Sequence, residues 1–213
     1  MSLVSRIDQV TSWRRVLDAA RRTVGKKPQN KEPSSLWKRR ILLAEHSPIR
    51  LLEFDFTWED IRQWVTVHLV RHHEGCEKFV HTQREDRRDL GVPRDELPQG
   101  SLNDMDMTCN AQALINISRR RLCYRASPET RAAWKQVKEA VAKIDPETAS
   151  AMVPDCIYRG GFCAEPQTCG WYRTENAQKM LQEYHSPFPD RQYTPVYVSK
   201  NDGKECRKSL DIG

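Results

Sequence analysis

The stretch RHHEGCEKFVHTQR, residues 71–84, places Arg71, His72 and His73 side by side. Positive charges set next to each other repel, so the arrangement is favourable only where water screens it or an anion offsets it. A solvated turn and an anion-binding site are therefore the two interpretations of these residues. The rest of the chain has to distinguish between them.

A second group of candidate residues lies on the helix predicted over residues 110–122. At 100° per residue, Asn110 and Arg121 lie within about 20° of each other, whereas Asn116 lies roughly 120° from Asn110. One small ligand would not touch all three, and a long ligand or two ligands would fit better. We expect Arg119 and Arg120, which belong to the same charge run, to be surface residues. A third group is RDELP, in which Arg94 stands four residues before Pro98.

The elements that must position these residues form an α+β pattern in which helices dominate. Residues 51–58 alternate apolar and polar side chains, which is typical of a half-buried strand, and residues 79–84 could form a short second strand. Ser127-Pro128-Glu129 is a strong helix start, because Pro is favoured at the first helical position. Helices are predicted over residues 36–45, 60–70, 110–122 and 127–144, and an N-terminal amphipathic helix carries Ile7, Val10, Trp13, Leu17 and Ala20 on one stripe.

Composition and the positions of the Pro-containing polar connectors divide the chain into three segments. Residues 1–35 are predicted to be an N-terminal helix and a linker, residues 36–184 the main domain, and residues 185–213 an extended or partly disordered tail. No stretch approaches the roughly 20 apolar residues that span a bilayer, and the basic N-terminus lacks the apolar core of a signal peptide. We therefore expect a cytoplasmic protein without a membrane partner. The net charge of +6 favours anionic ligands.

Seven cysteines in a chain with no export signal argue against a disulfide framework and leave free thiols or a metal site. Cys156, Cys163 and Cys169 could bind zinc if Cys206 or His185 supplied a fourth ligand. Their spacings are wider than the tight C-x2-C of zinc ribbons. The pattern therefore favours buried or free thiols, with no metal.

These blocks, in this order, resemble the signatures of the flavin-dependent thymidylate synthase family. Residues 71–73 take the place of the family's Arg-His-Arg, Cys76 stands near its first Ser, and residues 82–84 stand at its Ser-x-Arg. Arg94, Leu97 and Pro98 match Arg-x-x-Leu-Pro. The family's Asn-Ala-Arg-Ser-Leu-x-Asn-Phe-x-x-Leu-Arg is matched, with identical spacing, by Asn110, Ala111, Leu114, Asn116 and Arg121.

The resemblance runs from about residue 44 to residue 145, and its departures indicate a divergent branch. His73 replaces the second arginine of Arg-His-Arg, and His68 replaces a glutamine three residues before that motif. Arg50 and Leu51 stand where the family has Glu-His after Ser-Pro. Arg125 stands where the family has a histidine.

The resemblance implies the family's fold, in which helices pack on a small, mainly antiparallel sheet. It implies a homotetramer that binds FAD where subunits meet and transfers a one-carbon unit from methylenetetrahydrofolate to C5 of dUMP, with NADPH reducing the flavin. By carry-over, FAD would be held by Arg71, His72, His73, Asn110, Asn116 and Arg125. The dUMP would be held by His68, Thr82, Arg84 and Arg94, with Arg121 facing the uracil as the catalytic cation.

Two other functions remain open at this point. The altered positions Arg50, His68 and His73 are compatible with a pyrimidine-nucleotide hydroxymethylase on the same scaffold, which releases the one-carbon unit as an alcohol. The basic excess and the cysteines are compatible with a zinc-containing nucleic-acid-binding module, whose affinity would fall steeply with salt. We do not expect nucleic acid as a partner, because that function leaves the register of Arg94, Asn110, Asn116 and Arg121 unexplained.

Overall fold

The centre of the fold is a four-stranded antiparallel sheet in the order β1-β2-β4-β3. The strands are β1 (Leu3–Gln9), β2 (Glu53–Arg62), β3 (Cys76–Val80) and β4 (Leu102–Asn110). This computed structural model describes residues 3–189. The sheet and the helices packed on it confirm the α+β class that the sequence predicts.

The two central strands bury one face each, and those faces coincide. The predicted strand β2 alternates as expected, with Phe54, Phe56 and Trp58 at most 1% exposed. On β4 their direct partners are Cys109, Met107 and Met105, which are equally buried. Strand β4 was not predicted, because asparagine and aspartate, which are depleted in strands, occupy much of it.

The N-terminal prediction is wrong for residues before the first helix. Ile7 lies in β1, where it pairs with Phe56 of β2, rather than on a helix. Helix α1 begins only at Trp13 and runs to Thr23. The apolar spacing runs through a strand and the helix that follows it and so resembles that of one helix, but residues 3–9 form a strand because they pair with β2.

The remaining helices follow the predictions in part. The helices predicted over residues 36–45, 110–122 and 127–144 are present with shifted ends, at Ser35–Leu43, Ala111–Arg121 and Pro128–Ile144. The helix predicted from residue 60 begins at Gln63 because β2 continues to Arg62. The strand predicted over 79–84 lies at Cys76–Val80 instead. The helices are α2 (Ser35–Leu43), α3 (Gln63–Val70), α4 (Ala111–Arg121), α5 (Pro128–Ile144), α6 (Pro146–Ala151), α7 (Asp155–Tyr158) and α8 (Glu175–His185).

The segment before residue 36 packs on the same core as the rest of the chain. Trp13 and Val16 of α1 belong to the main hydrophobic cluster, and the indole Nε1 of Trp13 donates to Oδ2 of the buried Asp145 at 2.8 Å. The boundaries predicted at residues 35 and 184 stay predictions, and most of the predicted tail lies outside the described residues. Among residues 3–189, no helix is both long and apolar enough to cross a bilayer.

Candidate functional site

Helix α4 connects the two groups of candidate residues. It begins at Asn110, whose side-chain Oδ1 accepts from the backbone N of Ala113 at 2.9 Å and so caps the helix. It ends at Arg121, opposite the segment that leaves α3. The helix therefore carries one group of polar side chains at its start and one at its end.

Arg121 is held by neutral acceptors rather than by a carboxylate. Its Nε donates to Nε2 of His72 at 2.9 Å, and its Nη2 donates to the backbone oxygen of His68 at 2.5 Å. Within the described residues it makes no ion pair with an acidic side chain. Burial, and then the charge of Arg71, lower the pKa of Arg121. A half-buried cation without a counter-charge favours an anionic ligand.

His72 is the neutral partner of this cluster. Burial is the main cause that lowers its pKa to about 4, and the charges of Arg121, Lys78, His73 and Arg71 add to it. Because Arg121 donates to Nε2, the ring proton of the neutral imidazole must lie on Nδ1. His72 therefore orients Arg121 as a fixed acceptor.

His68 connects the cluster to α5. Its Nδ1 lies 2.8 Å from the hydroxyl of Thr130, and its ring packs edge-on against Trp64. The structure thus brings His68, His72 and Arg121 together. His73 and Arg71 lie in the exposed turn beside them.

A polar cavity of about 690 Å³ lies at the start of α4. Asn110 and Asn116 both line it and Arg121 does not, which agrees with the expectation that one small ligand would not touch all three. Asn110 is the cap rather than a helical residue, so the 100° rotation does not apply to it. The cavity is lined by Glu45, Arg50, Glu74, Gly75, Asn110, Gln112 and Asn116.

Gly75 is required where the cavity wall meets the sheet. It has a φ of +71°, and a Cβ at this position would lie 2.6 Å from Nδ2 of Asn110. The backbone N of Asn110 donates to the backbone oxygen of Gly75 at 2.9 Å. Only glycine combines this left-handed backbone with such close approach.

Arg119 was expected at the surface, but its side chain is only 16% exposed and it contacts two residues that line the cavity, Glu45 and Asn116. It forms an ion pair with Glu45, and its Nη1 donates to Oδ1 of Asn116 at 3.2 Å. Nε2 of Gln112 donates to the other oxygen of Glu45 at 2.6 Å. Because Glu45 precedes Arg119 by 74 residues, no local signal could have revealed this network.

The residues predicted to hold the nucleotide phosphate lie in a different place. Arg84 and Arg94 line a separate open cavity of about 460 Å³. Arg84 makes two hydrogen bonds to Asp86, at 2.9 and 2.6 Å, and its backbone N donates to the hydroxyl of Thr82. The structure brings these three residues together, but Arg121 does not line their cavity.

Arg125 does not line the cavity that contains Asn110 and Asn116, and its role in holding FAD stays a prediction. Its Nη2 donates to Oε1 of Gln167 at 3.3 Å in an exposed loop. The reason is that α4 ends at Arg121, so the following turn directs Arg125 elsewhere.

The predicted cysteine group does gather, but not as a metal centre. Cys156, Cys163 and Cys169 line a cavity of about 10 Å³ together with Cys123, which lies 33 residues before Cys156 and outside the predicted group. Among residues 3–189, no group of three or more His, Cys, Asp or Glu side chains is placed to hold a metal ion. The zinc interpretation is therefore not supported, and Cys206 lies outside the described residues.

Comparison with known proteins confirms the family resemblance over part of the chain. Residues 73–147 match the family described as Thymidylate synthase complementing protein. The flavin-dependent thymidylate synthase of Sulfurisphaera tokodaii is 39% identical over 77 residues, which are 34% of this chain and 30% of that protein. The enzyme of the same name from Saccharolobus solfataricus is also 39% identical over 77 residues, 34% of this chain and 29% of its own length. The matched segment thus spans less than a third of these relatives.

Solved structures show the same fold. The UMP/dUMP methylase PolB from Streptomyces cacaoi, bound with 5-Br dUMP, aligns over 71% of this chain and 93% of its own, with a TM-score of 0.54 and 17% identity. Its structure with 5-Br UMP aligns over 68% of this chain and 92% of its own, with a TM-score of 0.50 and 18% identity. The chain therefore shares the fold of PolB, with helices packed on a small antiparallel sheet, as the resemblance implies.

Proposed function

We propose that this protein catalyses the reductive methylation of dUMP at C5 to give dTMP, with methylenetetrahydrofolate as carbon donor, NADPH as reductant and FAD as hydride carrier. The observation that carries the proposal is Arg121, a half-buried cation that neutral groups orient and no carboxylate neutralises within the described residues. The family match over residues 73–147 supports it, because that segment contains Arg84, Arg94, Asn110 and Arg121.

Arg121 supplies electrostatic catalysis in this proposal. A uracil ring that reacts at C5 accumulates negative charge, and a cation already in place stabilises that charge without reorganising. Such stabilisation is worth a few kcal/mol, or roughly 10²–10³ in rate, when water is excluded. Neutral His72 accepts from Nε of Arg121 and the backbone oxygen of His68 accepts from Nη2, so the N–H groups of Nη1 are left for the nucleotide.

The residues of the 690 Å³ cavity fit FAD. The side-chain amides of Asn110, Asn116 and Gln112, together with Glu74, offer donors and acceptors for hydroxyl groups and ring edges. Arg50 offers a cation for a phosphate. Bound there, the flavin supplies hydride transfer, while this chain's own residues bind and orient it.

Arg84 and Arg94, which are predicted to bind the phosphate, lie apart from Arg121 in the single chain, and this separation supports an active site shared between subunits. Arg84 and Arg94 line their own cavity of the single chain, with Thr82 hydrogen-bonded to Arg84, whereas Arg121 at the end of α4 contacts His68 of α3. We propose that subunits of a homotetramer complete each other's sites. His68 and Arg121 of one subunit and Arg84 and Arg94 of another would then bind one dUMP.

The test is a single-turnover assay with matched arginine variants. Purified protein is reconstituted with FAD, reduced with NADPH without oxygen, and mixed with methylenetetrahydrofolate and dUMP, after which the nucleotide mass is measured. Arg121→Gln is expected to lower the rate at least about 10²-fold with the flavin still bound. Arg120→Gln, which changes a neighbouring arginine whose side chain is 62% exposed, is expected to leave the rate unchanged.

The outcomes separate the proposal from its rivals. A product heavier than dTMP by one oxygen would indicate a hydroxymethylase, and methylation of UMP in preference to dUMP would change the substrate. Full activity of Arg121→Gln would refute the role of this residue. Absence of flavin uptake, combined with salt-dependent binding of DNA or RNA, would favour the nucleic-acid-binding module.

A further inference from the structure

Two cysteines lie side by side on adjacent strands of the sheet, next to the candidate site. Cys76 on β3 pairs in register with Cys109 on β4, and both are free thiols. Cys76 is 5% exposed and Cys109 is fully buried. The proposed reaction uses neither, so their juxtaposition has no explanation in that function.

The ladder fixes which kind of cross-strand pair they form. Backbone hydrogen bonds join Asn110 to Gly75 at one end and His81 to Asp104 at the other. In an antiparallel pair, bonded and non-bonded positions alternate, so Cys76 and Cys109 occupy a non-hydrogen-bonded position. Cα atoms there are about 4.5 Å apart, within the span of roughly 4.4–6.8 Å that a disulfide bridges.

The surroundings activate one of the two sulfurs. A hydrogen bond from the thiol of Cys109, together with the nearby ammonium of Lys78, lowers the pKa of Cys76 to about 7. Nζ of Lys78 lies 3.7 Å from Sγ of Cys76 and also donates to the backbone oxygen of His72. Burial raises the pKa of Cys109. Cys76 is therefore suited to act as the nucleophile, and Cys109 as the resolving thiol.

We propose that Cys76 and Cys109 form a dithiol–disulfide pair that reacts with small disulfides such as oxidised glutathione. The Cys76 thiolate attacks one sulfur of the small disulfide, whose S–S bond breaks and releases a thiolate that takes the proton of Cys109. The Cys109 thiolate then attacks Sγ of Cys76 and expels the second small thiolate, which is protonated by water. The protein dithiol is oxidised by two electrons, and the small disulfide is reduced to two thiols.

Cys76 and Cys109 lie next to the ligand cavity, so a disulfide between them would form directly beside it. Gly75 and Asn110, the adjacent residues of the ladder, both line the cavity of about 690 Å³. Strand β3 is an edge strand with β4 as its neighbour, so a transient opening of this edge exposes Cys76. The disulfide would tie that edge to the sheet.

The test is peptide mapping of the folded full-length protein. The protein is reduced, freed of reductant, incubated with oxidised glutathione and alkylated with iodoacetamide, and its digest is examined by mass spectrometry. We expect a peptide pair that links Cys76 to Cys109 and is two hydrogens lighter than the separate peptides. Cys109→Ser is expected to leave Cys76 as a mixed disulfide with glutathione, and Cys169→Ser, a change at an exposed cysteine, to leave the link intact.

A second variant tests the activation of Cys76. Lys78→Met is expected to slow formation of the link several-fold, because the ammonium beside the sulfur is lost. The proposal is overturned if Cys76 and Cys109 are recovered unlinked from the folded protein. It is overturned equally if the link forms only after unfolding in urea. Neither result depends on whether the protein methylates dUMP.

Discussion

Lowering the pH from about 7.5 to about 5 is expected to weaken the fold through His72. Burial is the first cause that holds the pKa of His72 at about 4 against the ordinary 6.5, and the charge of Arg121 is the next. Between these two values the unfolded chain binds a proton that the folded chain does not. Stability from this group is therefore complete above about pH 6.5 and is lost as the pH falls toward about 4.

The size of the effect follows from the two pKa values. A complete shift from 6.5 to about 4 changes the free energy of unfolding by about 2 kcal/mol between pH 7.5 and pH 5. His72 is only half-buried, so solvent screening reduces the expected loss to about 1 kcal/mol. In His72→Gln this part of the pH dependence should disappear.

The measurement is urea unfolding of both proteins at the two pH values, followed by fluorescence of the tryptophans. His46→Gln serves as the control, because it removes an exposed imidazole and reports the effect of losing a histidine as such. If the wild type and His72→Gln lose the same stability on acidification, His72 is not held neutral by Arg121 and burial, and its role as a fixed acceptor is wrong.

Two further predictions concern close contacts in the fold. Gly75→Ala is expected to lower the free energy of unfolding by about 2–3 kcal/mol, because it combines a left-handed backbone with a clash at Asn110. Gly91→Ala is the control: Gly91 has the same φ of +71° but no neighbour within 4 Å, so the loss should be only about 1–2 kcal/mol. Equal losses in urea unfolding would show that the clash is relieved freely. Trp13→Phe should cost about 1–3 kcal/mol, because it removes the indole donor from the buried Asp145, and a change in thermal stability below about 0.5 kcal/mol would contradict that account.

Local patterns predicted the parts of the fold that depend on local chemistry. The alternation of Phe54, Phe56 and Trp58 with polar residues indicated β2, since a strand sends successive side chains to opposite faces. Ser127 and Pro128 indicated the start of α5, where the hydroxyl of Ser127 accepts from the backbone N of Thr130. The pattern of helices and strands predicted the α+β class, and the motif resemblance predicted helices packed on a small, mainly antiparallel sheet.

Tertiary contacts decided the elements whose local signals were weak or misleading. Strand β4 contains Asp104 and Asp106, which disfavour strands, and it is stable because β2 and β3 pair with it on both sides. Residues 3–9 look helical when read with α1, yet their hydrogen bonds go to β2. Propensity was outweighed in both cases by pairing with distant segments.

The candidate site shows the same division. The sequence alone was enough to recognise the residue types of the site and their order along the chain, from His72 through Asn110 to Arg121. Only the tertiary structure decided that Asn110 and Asn116 share one cavity, that Arg119 pairs with Glu45, and that Arg125 lies apart. These facts depend on where a helix begins and ends and on which distant side chain offsets a buried charge. The spacing of residues along the chain does not predict either of these.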